Sequence, residues 1–226
     1  MTAHDLVREL PDIPELQDRC RALAMLEAIV GYGSAYPTYV YDAAWAPGVE
    51  LASMRNGGGD EWDIAFTADG AWIRGFDHES PMSPYGNEDL ALWPGLVESV
   101  PGVFAALVAE PAFQAEDCLA ATLCVWRRIG DDGWRTGDVS YPEHHAGDPD
   151  GAGWMFQTLL RPSGYREWAE DMWEVTLDGD AVDAVLALRP LTPELLRGLH
   201  PEATVGGLVT VAGHIGYPIS ANRDAV

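Results

Sequence analysis

The chain has 226 residues, 47% of them hydrophobic and 22% charged, values ordinary for a folded globular protein. Thirty-six acids against thirteen bases give a formal net charge of −23, and every base is an arginine, so the chain contains no lysine. Such a charge repels nucleic-acid phosphates and anionic lipid and steers in a basic partner, while the missing lysine excludes Schiff-base and pyridoxal-phosphate chemistry and the lysine-bearing phosphate sites of NTPases and kinases.

The opening MTAHDLVRELPDIPELQ has an acidic start and lacks the apolar centre of a secretory signal. No apolar run approaches the ~18 residues that a membrane span needs. Three cysteines, Cys20, Cys118 and Cys124, form no CxxC pair and read as free thiols of a reduced cytosol, so the expected location is cytoplasmic.

Asp12, with Pro14 in the first turn, starts a helix that runs to about Val30 and stops at Gly31. Leu16, Cys20, Leu23, Leu26 or Glu27, and Val30 make its apolar stripe, with Glu15, Asp18, Arg19 and Glu27 largely elsewhere. TYVYDAAW reads as a strand or edge segment. VELASMR, EWDIAFT and AWIRGFD then alternate with period two and are joined by NGGGD and ADG, turn sequences rich in residues that accept positive φ. They predict a three-stranded antiparallel meander.

Residues 80–102 read as a long connection with a short helical turn, since Leu92, Trp93, Leu96 and Val97 need burial; a helix is expected over Pro101–Glu110. LAATLCVWRRIGDDGWRTGDV is a second hairpin turned at GDDG, and SYPEHHAGDPDGAG is a polar loop. WMFQTLL is apolar all round and expected to be buried. Ser163 is placed as the cap of a helix that buries Tyr165, Trp168, Ala169 and Met172, and helices follow over Asp180–Leu188 and Pro193–Leu199, the latter capped by Thr192. ATVGGLVTVAGHIG is open between strand and helix. The fold class is α+β across residues 1–226 as one domain: a mostly antiparallel sheet from two hairpin blocks in a sheet-rich part, about 36–140, an N-terminal helix, and a helical C-terminal third, about 150–216, on one face.

Candidate sites are few. NGGGDE joins two strands instead of opening a helix, so it is a hairpin turn and not a dinucleotide loop; no cofactor is expected. Asp77-His78-Glu79 ends a strand, where alternation sends Asp77 and Glu79 one way and His78 the other. A metal-assisted hydrolase would need Asp77 and His78 to meet Glu143 and His144 around an activated water, yet neither HxH nor HExxH spacing is present. GDPDGAG and LDGDAVD look like calcium loops but lack the closing glutamate, with Leu159 and Arg189 in its place. The densest charge lies in Arg166–Asp183, where Glu167, Glu170, Asp171 and Glu174, then Asp178, Asp180 and Asp183, oppose one arginine. It is read either as a solvated face or as a docking surface for a basic protein.

NGGGDEWDIAF…GAWIRGFDHE, within residues 49–80, resembles the SUKH superfamily of bacterial immunity and regulatory proteins at Gly59, Asp60, Trp62, Ile64, Phe66, Gly70, Ile73, Asp77, His78 and Glu79. The resemblance implies an α+β scaffold that binds and neutralises a partner protein, often a toxin, without catalysis. The expectation is therefore a non-catalytic cytosolic binding module whose contact residues are Asp60, Glu61, Asp77, His78 and Glu79 together with Glu167, Glu170, Asp171 and Glu174. No metal, nucleic-acid or membrane partner is expected.

Overall fold

The alternating segments pair as their turns require. In the computed structural model, which describes residues 1–86, 89–143 and 147–219, Tyr39–Ala46 (β1), Val49–Arg55 (β2), Glu61–Thr67 (β3) and Gly70–Phe76 (β4) are successive antiparallel neighbours. A small separate ribbon, Gln114–Ala115 (β5) with Cys118–Leu119 (β6), precedes the second hairpin of Leu123–Arg128 (β7) and Arg135–Thr136 (β8). β7 pairs with β4, so the main sheet runs β1-β2-β3-β4-β7-β8, antiparallel throughout. The meander is one strand longer than EWDIAFT and its neighbours imply, because TYVYDAAW supplies the edge.

The sheet is covered on both sides. Tyr41, Met54, Trp62, Ile64, Phe66, Ile73 and Val125 face the helices. Leu51, Ala65, Trp72, Cys124 and Trp126 face Phe104, Leu107, Phe113 and Leu119, so the 80–122 connection forms a layer of its own. β4 is buried at all seven positions, as a central strand covered on both faces must be.

A first helix that periodicity does not announce, Ala3–Glu9 (α1), is too short to form alone. Packing holds it: Ala3 and Leu6 are buried, and the Ala3 N–H donates to Asp150 Oδ2 at 2.8 Å. Ile13–Val30 (α2) has the expected Asp12 start and Gly31 stop. From Ala22 onward it is buried almost all round, Glu27 included at 1% exposure, which corrects the solvent placement of that residue. The loop after α2 folds back over it, so Glu27 Oε1 accepts the Thr38 N–H at 2.8 Å and Oε2 accepts the Tyr165 hydroxyl at 3.1 Å. A cavity of about 270 Å³ lies beside this carboxyl, walled by Tyr32, Val40, Leu208 and Val211.

The helix expected over 101–110 shrinks to a 3₁₀ turn at Gly102–Phe104 and Ala105–Val108 (α3), because Pro111 holds Glu110 in the extended region. In the C-terminal third, Ala152–Met155 (α4), Gln157–Leu160 (α5), Tyr165–Met172 (α6), Gly179–Leu186 (α7), Pro193–Arg197 (α8) and Val205–Ile215 (α9) follow in order. Thr192 caps α8 as expected, its hydroxyl accepting the Leu195 N–H at 3.2 Å. Ser163 does not cap α6, which begins from a 3₁₀ turn with Gly164 before it. The ambiguous ATVGGLVTVAGHIG is helical, started by Thr204 and ended by left-handed Gly216. WMFQTLL is not buried all round, since Trp154 is 42% exposed. No described helix is long and apolar enough to cross a membrane. All three cysteines are free, and burial pushes the Cys124 thiol up to about 12.

Candidate functional site

NGGGD turns tightly because Asn56 organises it. Its Oδ1 accepts the N–H groups of Gly58 (2.8 Å) and Asp60 (3.1 Å), and its Nδ2 donates to Asp60 Oδ2 at 2.6 Å. Gly59 has φ +107°, and a Cβ there would stand 3.3 Å from the His78 ring, so glycine is needed both for the backbone and for the imidazole above it.

Thr67 pairs with Gly70 across the Ala68-Asp69 turn, and the register runs back to Glu61 opposite Phe76. One step further sets Asp60 against Asp77, where strand alternation has given way to a turn. His78 therefore folds over onto Asp60, contrary to the expectation that it points away: Asp60 Oδ1 accepts the His78 backbone N–H at 2.9 Å and lies 2.7 Å from His78 Nδ1. Burial works against the Asp60 carboxylate, but the bonds from the His78 side chain and backbone and from Asn56 outweigh it and hold the group below its ordinary value. The hydrogen bond to Asp60 raises His78 against its desolvation, and the charges of Asp60, Glu79 and Asp77 add to the rise.

Asp77 is placed by a different part of the chain. Its Oδ1 accepts the Glu79 N–H (3.0 Å), its Oδ2 accepts the indole N–H of exposed Trp154 (3.1 Å), and its own N–H donates to Thr122 Oγ1 (3.1 Å). The GDPDGAG loop packs here: Ser80 Oγ donates to the Pro149 carbonyl at 2.6 Å, and left-handed Gly151 lies against Asp77. One donor atom from each of Asp60, Asp77 and His78 falls within 4.8 Å of the others. Glu79 is exposed and outside this group.

The other acid-rich stretches are spent on structure. Asp150 accepts from Ala3 N–H and Ala152 N–H, fastening two helices with one buried carboxylate, and Asp148 accepts from Gly153 and Trp154. Asp178 caps α7 through Asp180 N–H. Glu61 points to the opposite sheet face, where Arg55 (2.7 Å) and Arg74 (2.5 Å) hold it. Asp63 and Arg74, both fully buried, complete that network at 2.5 Å. Among the described residues every arginine except Arg161 and Arg189 is in an ion pair.

Helix α6 presents a second acidic surface. Glu167, Asp171 and Glu174 are exposed, while Glu170 is drawn in by Arg166 (3.0 Å) and by the Leu177 N–H (2.9 Å). Tyr165 and Ala169 are buried, but Met172 is 54% exposed and Val175 37%, correcting the placement of Met172 on the buried side. An open groove lined by Gln157, Arg161, Glu167, Trp168 and Asp171 runs beside them.

Of the hydrolase set, Asp77 and His78 do converge, but the side chain they meet is Asp60. Glu143 is exposed, and His144 lies outside the described residues. Sequence reasoning also missed Trp154, Asn56 and the Arg55–Glu61–Asp63–Arg74 network. Counting register back from the ADG turn was the signal available for Asp60 and Asp77; none existed for Trp154. Compared with known proteins, the chain matches no family model, no curated protein and no solved structure.

Proposed function

We propose that the chain is a cytosolic, non-catalytic protein-binding module, immunity-like in role, that engages a basic partner protein through its acidic surface. The observation that carries this reading is the composition of α6 and the turn after it: Met172 and Val175 are exposed, as are Glu167, Asp171 and Glu174, and half-buried Trp168 lies in the groove with Glu167 and Asp171. Methionine and tryptophan are enriched in the contact patches of interfaces. Carboxylates around such a patch speed and orient the approach of a basic protein.

Acid is also kept where it costs stability. Glu116 and Asp117 turn the β5–β6 ribbon with φ of +51° and +61°, a conformation that asparagine and glycine adopt more easily.

The test is affinity capture at low salt from the cells that express the protein, with wild type beside Glu167→Gln/Asp171→Asn/Met172→Ser/Glu174→Gln. Wild type is expected to recover one basic protein at a 1:1 ratio, with association slowing about 10-fold or more between low and physiological salt, and the variant is expected to lose it. Equal recovery by the variant, or no stoichiometric basic partner, overturns the proposal.

A further inference from the structure

We propose that Asp60, Asp77 and His78 form a binding site for a divalent transition-metal ion, a role separate from the α6 surface. Three features of the site point to it.

The donors are of mixed type and already gathered. Two carboxylates and an imidazole have one donor atom each within 4.8 Å of the others. Ligands bound about 2.1 Å from one tetrahedral ion are about 3.4 Å apart. The Asp60 Oδ1–His78 Nδ1 edge is a 2.7 Å hydrogen bond, so an ion displaces the proton on this edge to water and spreads the two donors to that bite. Asp77 closes the third position, and water completes the shell. An imidazole nitrogen beside two carboxylate oxygens favours zinc, cobalt or nickel over calcium or magnesium.

The ligands are held from behind. Asn56 Nδ2 and the His78 N–H support the Asp60 carboxylate, while the Trp154 indole and the Glu79 N–H support Asp77. Such outer contacts orient ligands and raise affinity. Gly59 leaves the room the imidazole occupies.

No guanidinium neutralises the site. Among the described residues Glu61 and Asp63 pair with arginines, whereas no arginine pairs with Asp60 or Asp77, and the cationic partner of Asp60 is His78.

The experiment is calorimetric titration of the full chain with Zn²⁺ and with Co²⁺, at roughly 0.3 M NaCl to suppress diffuse cation binding to the acidic surface. One ion per chain is expected, with a Co²⁺ visible absorption band. Asp77→Asn and His78→Asn are each expected to weaken binding at least 10-fold and to alter that band, whereas Glu167→Gln/Asp171→Asn changes neither. Far-UV circular dichroism confirms that each variant is folded; Asp77 and His78 lie in a surface turn, so both substitutions are compatible with the fold. Several weak sites, or one site of unchanged affinity in both variants, would mean adventitious cations only and would overturn the proposal. Because the readout is the metal alone, failure here leaves the protein-binding reading untouched, and the reverse holds.

Discussion

Asp63→Asn tests whether the charge network on the sheet face under the 80–122 layer is structural. Asp63 and Arg74 are both at 0% exposure. The carboxylate accepts from Ser53 Oγ at 2.6 Å, from Arg55 at 3.0 Å through both oxygens, and from Arg74 at 2.5 Å. Asparagine preserves the shape but removes the charge and turns an NH₂ group toward two guanidiniums that cannot give up their protons. Glu61 is then left as the one carboxylate shared by Arg55 and Arg74. Breaking a buried pair by neutralising one partner costs about 3–5 kcal/mol. With a urea m-value of about 2–3 kcal/mol/M, the midpoint falls by roughly 1–2.5 M. Urea unfolding followed by tryptophan fluorescence, with m unchanged, is the assay. A loss below about 1 kcal/mol would show that water reaches the guanidiniums and that the 80–122 layer does not seal this face. The same reasoning makes Glu61 a stabilising residue first, so Glu61→Gln should lower stability more than partner affinity.

Two further outcomes follow from single groups. Glu116→Asn/Asp117→Gly relieves two left-handed non-glycine residues and should raise stability by about 1 kcal/mol, or roughly 2–4 °C in Tm by calorimetry; no rise would mean that the ribbon turn lacks this backbone in solution. Burial pushes the Glu27 carboxyl above its ordinary 4.5, against the bonds from Thr38 and Tyr165 that favour the charged form. The folded chain therefore holds this proton to higher pH than the unfolded chain, and stability falls as pH rises from 4.5 through the folded value. Glu27→Gln removes that slope, so denaturant unfolding should show the variant gaining on wild type as pH rises across this window; a constant difference would refute the buried placement.

The elements that sequence made legible are those whose cause is local. The Asp12 and Gly31 ends of α2, the Thr192 cap, the ADG and GDDG hairpins and the period-two strands each depend on residues within a few positions of one another. The α+β class follows from them, and composition alone sets the charge and the lysine-free chemistry. The errors lie where a neighbour distant in sequence intervened. Helix α1 exists because Asp150 and the β7–β8 end hold it; Glu27 is buried because a loop and Tyr165 close over it; Met172 is exposed because α6 buries only Tyr165 and Ala169 fully.

The candidate site divides the same way. The glycines, Asp60 and the Asp77-His78-Glu79 triplet stand out in the sequence, and the ADG register brings the two segments opposite each other. Strand alternation still sent His78 the wrong way, because β4 ends at Phe76 and the next residues obey a turn. Which carboxylates an arginine matches was decided by tertiary structure: Glu61 and Asp63 look the same as Asp60 and Asp77 until their ion pairs are known, and Asp150 until its bond to Ala3, 147 residues away, is known. Sequence fixes what each side chain can bond to, but burial and partnership are properties of the folded whole, and these separate acids that hold the protein together from those left to meet something else.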